Sequence, residues 1–101
     1  MKLYKLTDTN DMTGTEYSNA TVWEENRTNT VECPKPELCS CGVLHAYKNL
    51  NLGLLLNPIH ADIKNFHIWE CEGNIEIEDY GKVGCYSLKS IKRLNTPVLV
   101  S

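Results

Sequence analysis

The segment that most limits what this chain can build is Leu50 to Leu56, its richest apolar run, seven residues long and interrupted by Asn51 and Gly53. Its leucines cover almost the whole circumference of a helix, which is the pattern of a buried helix rather than a surface one. Asn49 can cap the start with its side-chain oxygen. Asn57-Pro58 predicts the stop, because the residue before a proline avoids the helical region. At this length a buried strand competes with the helix. No window approaches the roughly 20 apolar residues of a membrane span. With so little helix available, strands and turns must carry the fold.

Strands are indeed what the remaining sequence offers. Leu3-Tyr4-Lys5-Leu6 reads as a first strand. The stretch from Asp8 to Gly14 is rich in residues that favour turns through local side-chain bonds or positive φ. Thr21-Val22-Trp23 is β-branched and aromatic, so it reads as a second strand. Glu25-Asn26-Arg27 turns the chain, and Thr30-Val31-Glu32 is a third strand, ended by Pro34 and Pro36, which cannot donate to a ladder. Val43 to Ala46 is a short apolar strand after a Gly42 turn. Asn65 to Glu72 carries large groups on both faces, as a central strand does. Gly73-Asn74 turns, Ile75-Glu76-Ile77-Glu78 alternates as a half-exposed strand, and Tyr80-Gly81 turns again. Val83 to Leu94 reads as one long strand whose alternation slips near Ser90, where a bulge would account for the slip. The expected fold is a single α+β domain over residues 1–101. Its mainly antiparallel, twisted sheet has about 6–7 short strands, with one short buried helix near 49–57.

Charge is segregated along the C-terminal third. Positions 70–79 hold Glu70, Glu72, Glu76, Glu78 and Asp79, while positions 82–93 hold Lys82, Lys89, Lys92 and Arg93. The simplest reading is cross-strand pairing on a sheet. The net charge is −3, and the 42% hydrophobic and 23% charged fractions are ordinary for a globular chain. A nucleic-acid binder needs basic clusters to displace counterions, so none is expected here. The N-terminal residues lack the apolar run of a signal peptide, which implies a reducing cytoplasm. The five cysteines are then thiols or metal ligands.

Two constellations carry candidate chemistry. Cys33, Cys39, Cys41, His45 and His60 include a donor set that zinc could use, with Cys39, Cys41, His45 and His60 as the four ligands. However, Cys39-Ser40-Cys41 leaves one residue between thiolates, and zinc knuckles use two to four. A Cys–His hydrolase would need a base in reach and an oxyanion hole, and no hydrolase signature surrounds any cysteine. The chain has no P-loop, no Gly-x-Gly-x-x-Gly and no Gly-x-Ser-x-Gly, which removes the common NTPases, dinucleotide dehydrogenases and serine hydrolases. His45 and His60 either brace loops or line a small pocket with Tyr47 and Trp69.

Four blocks carry a resemblance. They are Cys39-Ser40-Cys41-Gly42-Val43-Leu44-His45-Ala46-Tyr47, Leu55-Leu56-Asn57-Pro58-Ile59-His60-Ala61, Ile68-Trp69-Glu70-Cys71-Glu72-Gly73 and Gly81-Lys82-Val83-Gly84-Cys85. Together they resemble a family of short, uncharacterised proteins of bacteriophages and prophages. The resemblance covers roughly positions 3 to 94 and implies a phage origin and a host-cytoplasm workplace. It supplies no catalytic residues. A more distant likeness is to compact ADP-ribosyltransferase-like folds, whose nicotinamide-site residues cannot be placed here.

The function expected from these observations is an accessory protein that binds a host protein, such as a component of host defence. Its contact surface would include Trp23, Glu76, Glu78 and Tyr80. An ADP-ribosyltransferase-like pocket binding NAD or ADP-ribose is one alternative, and a zinc-held structural module is another. No cofactor is required by the first reading. Val98-Leu99-Val100 could pair two copies of the chain as an exposed edge.

Overall fold

The computed structural model describes residues 1–14, 20–38, 42–60, 65–79 and 81–94, with 56–60 traced through their backbone alone. In chain order the elements are β1 (Lys2–Thr7), β2 (Met12–Thr13), β3 (Thr21–Val22), β4 (Arg27–Thr30) and β5 (Leu44–Tyr47). Then come α1 (Leu50–His60), β6 (His67–Gly73), β7 (Ile77–Asp79), β8 (Lys82–Cys85) and β9 (Ser87–Leu94). Seven strands form one sheet in the order β4-β9-β6-β1-β5-β8-β7, and β2 pairs with β3. Every recorded pairing is antiparallel. The expected α+β class, with an antiparallel sheet and one short helix, is the one observed. Among the described residues no helix is long and apolar enough to cross a membrane.

The sheet cannot be flat. In its order, four strand spacings separate β8 from β9, or about 19 Å in a flat sheet. Yet Tyr86 alone joins Cys85 to Ser87, and one intervening residue spans at most about 7 Å between Cα atoms. The sheet must therefore curl until β8 runs on into β9. Side-chain proximity agrees: a Cβ placed on Gly73 of β6 would lie 3.4 Å from Cys85 Sγ of β8. The result is a small closed ring, β1 to β6 to the β9–β8 ribbon to β5 and back to β1. On the ribbon's outer edge, the Glu76 amide bonds Gly84 O at 2.9 Å and the Val31 amide bonds Tyr86 O at 2.9 Å. Carbonyls two residues apart in an extended chain point the same way. So β7 and then β4 follow one another along that edge.

The ring interior is the core. Leu3, Ala46, Trp69, Cys71, Val83, Cys85 and Leu88 are buried together, and Trp23, just after β3, joins them at 1% exposure. Strand alternation explains the set. On β1, Leu3, Lys5 and Thr7 share the inner face and register with Cys71, Trp69 and His67 of β6. The long run from Val83 to Leu94 is two strands, not one. It breaks at Tyr86, where the ribbon bends from β5 and β7 to β6 and β4. The bulge expected near Ser90 is present. Glu70 faces Lys92 while Cys71 faces Ser90, which leaves Ile91 as the extra residue. The third strand lies earlier than expected, at Arg27–Thr30, because Asn26 turns the chain at φ 61. Register also sets Glu70 beside Lys92, Glu72 beside Lys89 and Asp79 beside Lys82, as the charge segregation predicted. Val98 to Val100 lie outside the described residues.

α1 packs on the outside of the ring. The Asn49 cap is as expected, its Oδ1 accepting the Leu52 amide at 3.2 Å. The stop is not: the helix runs through Pro58 to His60. The pre-proline preference is a bias rather than a block, and Pro58 falls in the last turn. Nor is the helix buried all round, since Leu55 is 72% exposed. Trp23 already fills the barrel interior, so α1 lies against the outer face of β5 along one stripe. Gly53 makes that contact, where a Cβ would sit 2.9 Å from the Tyr47 ring.

Candidate functional site

Of the four side chains expected to share a pocket, the three described ones are divided between two faces of the sheet. His45 and Tyr47 alternate on β5 and so share a face, with Tyr47 buried against Gly53 of α1. Tyr47 pairs with Tyr4, whereas Trp69 pairs with Lys5, the next residue along β1. Successive residues point to opposite faces, so Trp69 enters the barrel while Tyr47 and His45 face out. His60 ends α1, and its side chain lies outside the described residues. So do Cys39 and Cys41, which the zinc reading needs. Among the described residues no three His, Cys, Asp or Glu are placed to hold a metal. The expected contact surface also changes. Trp23 is not exposed, because its indole is the core plug. Glu76 and Glu78 are exposed, and Tyr80 lies outside the described residues.

The densest polar cluster lies elsewhere, at Asp11. This residue adopts φ 58, a left-handed conformation that Asp tolerates better than most side chains. Its amide donates to Asp8 O at 3.0 Å and its carbonyl accepts the Trp23 amide at 2.8 Å. Its carboxylate then gathers three donors. Oδ1 accepts from Trp69 Nε1 at 3.0 Å and from His67 Nδ1 at 2.7 Å, and Oδ2 accepts from Arg93 Nη1 at 3.0 Å. Arg93 Nη1 also lies 3.3 Å from His67 Nδ1, so the three groups close on one another. Beside Arg93, an open cleft of about 510 Å³ is lined by Trp23, Trp69, Glu24, Glu25 and Lys92 among others. Sequence reading missed Asp11, His67 and Arg93 as a group. The turn signal at Asp8 to Gly14 was visible, but its partners are on distant strands.

A second polar group, part-buried, stands on the inner face of β1. Lys5 Nζ donates to the His45 carbonyl at 2.6 Å and lies 5.2 Å from the Trp23 ring centroid. Burial pulls its ammonium down to about 8. Burial pushes the nearby Cys71 thiol up to about 12, and the Cys85 thiol is also raised. Both are therefore neutral thiols rather than counter-charges for Lys5. Burial likewise raises the Tyr47 phenol.

No family model, curated protein or solved structure matches the chain. Its chemistry must be argued from its own surfaces. Asp11 holds His67 and Arg93 by hydrogen bonds and ties the turn before β2 to the open ends of β6 and β9. That arrangement fixes a scaffold. The outer edge of β7 offers a different kind of chemistry. β7 pairs only with β8 among the described residues, so its other edge presents backbone N–H and C=O groups. Glu76, Glu78 and Asp79 are exposed along it, with Glu78 paired to Lys48 at 2.9 Å on the surface.

Proposed function

We propose that this chain acts by binding a host protein in the cytoplasm of a phage-infected bacterium, through the outer edge of β7. The open, acidic edge carries this reading. An extended segment of the partner can add to β7 by main-chain hydrogen bonds, with lysine or arginine side chains facing Glu76, Glu78 and Asp79. Complementary charge of this kind steers encounter and fixes register more than it adds raw affinity. The resemblance to phage proteins makes a component of host defence the expected class of target. A tagged chain and its Glu76→Lys/Glu78→Lys variant, passed over the same bacterial lysate, test the reading. The wild type should retain one host protein in near-stoichiometric amount, released by salt, and the variant should lose it. If both forms retain the same protein, or no protein is retained in stoichiometric amount, the reading fails.

A further inference from the structure

The arginine near the end of β9 is held on one side and open on the other. Arg93 Nη1 donates to Asp11 Oδ2 at 3.0 Å and lies 3.3 Å from His67 Nδ1. Asp11 is itself fixed, by Trp69 Nε1 at 3.0 Å, by His67 Nδ1 at 2.7 Å and by its place in the turn before β2. These contacts engage only the Nη1 side of the guanidinium. On the other side the Nε–H and one Nη2–H run parallel. Among the described residues neither nitrogen bonds to a partner, and the side chain is half exposed. That parallel pair is the fork whose spacing matches the two oxygens of a carboxylate.

The fork borders a cleft. Arg93, Lys92, Glu24 and Glu25 are among the residues that line its volume of about 510 Å³, which is in the range of small-molecule sites. Lys92 brings a second cation, exposed and without an ion pair among the described residues. Glu70, its neighbour in the ladder, is engaged by Lys2 at 3.4 Å. The acids set a limit on the charge the cleft can take. Glu24 is paired with Arg27 at 3.6 Å, and Glu25 is exposed. Asp11, Glu24 and Glu25 thus balance Arg27, Lys92 and Arg93. In a neutral surround, what distinguishes one anion from another is its fit to the fork. A second negative charge on the ligand would lose its water with no further cation to meet it.

We propose that this cleft binds the carboxylate of a small organic acid, its two oxygens held by the Nε and Nη2 edge of Arg93, with Lys92 beside it. Asp11 is the positioning residue. By fixing Arg93 before the ligand arrives, it removes part of the ordering cost that a free arginine side chain carries on binding. No residue of the cleft lies on β7, so the proposal stands apart from partner binding there.

Titration of the ¹⁵N-labelled protein with sodium acetate, at constant ionic strength against sodium chloride, tests the site. The Arg93 Nε–H and the Leu94 amide should shift saturably in NMR spectra, with half-saturation in the millimolar range. Inorganic phosphate should bind more weakly than acetate. In Arg93→Lys, followed at the Leu94 amide, acetate should bind roughly tenfold more weakly, because an ammonium offers no planar fork. Asp11→Asn should also weaken binding, with the Arg93 Nε–H displaced and the amides of the β1–β6 ladder unmoved. A purely structural Asp11 would leave the acetate affinity of the folded variant unchanged. Should that variant fail to fold, Lys92→Gln replaces it and should weaken binding severalfold. The proposal is overturned if acetate moves these signals no more than chloride does. It is equally overturned if Arg93→Lys binds acetate as well as wild type, if phosphate binds tighter than acetate, or if neither Asp11→Asn nor Lys92→Gln weakens binding.

Discussion

At the scale of single residues, Asp11 shows how one side chain can organise a site. Its carboxylate accepts from Trp69, His67 and Arg93, residues 58, 56 and 82 positions away in the chain. Removing it leaves a buried indole N–H and a half-buried imidazole without their acceptor. A group stranded in this way loses its full desolvation energy, and bonds to charged acceptors are the stronger kind. Asp11→Ala should therefore cost about 2–4 kcal/mol in urea unfolding. Asp11→Asn should fall between that variant and wild type. It keeps a side chain that tolerates positive φ, but it turns an NH2 toward one of the donors. If Asp11→Ala unfolds at the wild-type midpoint, the cluster contributes nothing to stability. The local half of this feature was legible, since Asp8 to Gly14 announces a turn through its Asp, Asn and Gly residues. The other half was not, because no local pattern records which distant strand a carboxylate will reach.

At the scale of elements, the join between the β7–β8 turn and α1 is the point where two of them meet. Gly81 has φ +86, and a methyl there would run into Leu52 of the helix. Both the left-handed backbone and the contact oppose a side chain. Gly81→Ala should lower stability by about 1–3 kcal/mol, or several degrees or more in a thermal melt of a domain this size. An unchanged melting temperature would mean that the turn and the helix yield freely. The elements themselves were largely readable. β-Branched and aromatic runs between turn residues located most strands, and Asn49 located the start of α1. Three misreadings have different causes: a pre-proline preference that biases rather than blocks, a left-handed turn residue, and a bend between two sets of strand pairings. Pro58 did not stop α1, Asn26 moved the third strand earlier, and the run from Val83 to Leu94 broke at Tyr86. The slip near Ser90 was visible because a bulge leaves its trace in the alternation itself.

At the scale of the whole molecule, the ring explains why the expected pocket dissolved. Closing the sheet gives every strand an inside and an outside, and one step along β1, from Tyr4 to Lys5, separates Tyr47 from Trp69. Periodicity marked which residues were apolar, but only the pairing order set which of them met. The same closure makes a prediction about thiols. Cys71 on β6 and Cys85 on β8 are 1% and 0% exposed, while Cys33 is exposed. Thiolates, not thiols, react with alkylating agents, and burial pushes Cys71 up to about 12. Native protein treated with iodoacetamide at pH 8 should therefore be modified quickly at Cys33 and slowly at Cys71 and Cys85. Mass spectrometry of the digested protein reads each site. Because both buried cysteines line one ring, a shared opening should expose them, and their slow rates should match. Under low denaturant the two rates should rise in parallel, each limited by the same event. Fast modification of Cys85 with Cys71 still protected would mean that the ribbon parts at Tyr86 while β6 holds. The molecule would then behave as an open sheet with a frayed edge rather than as a closed barrel.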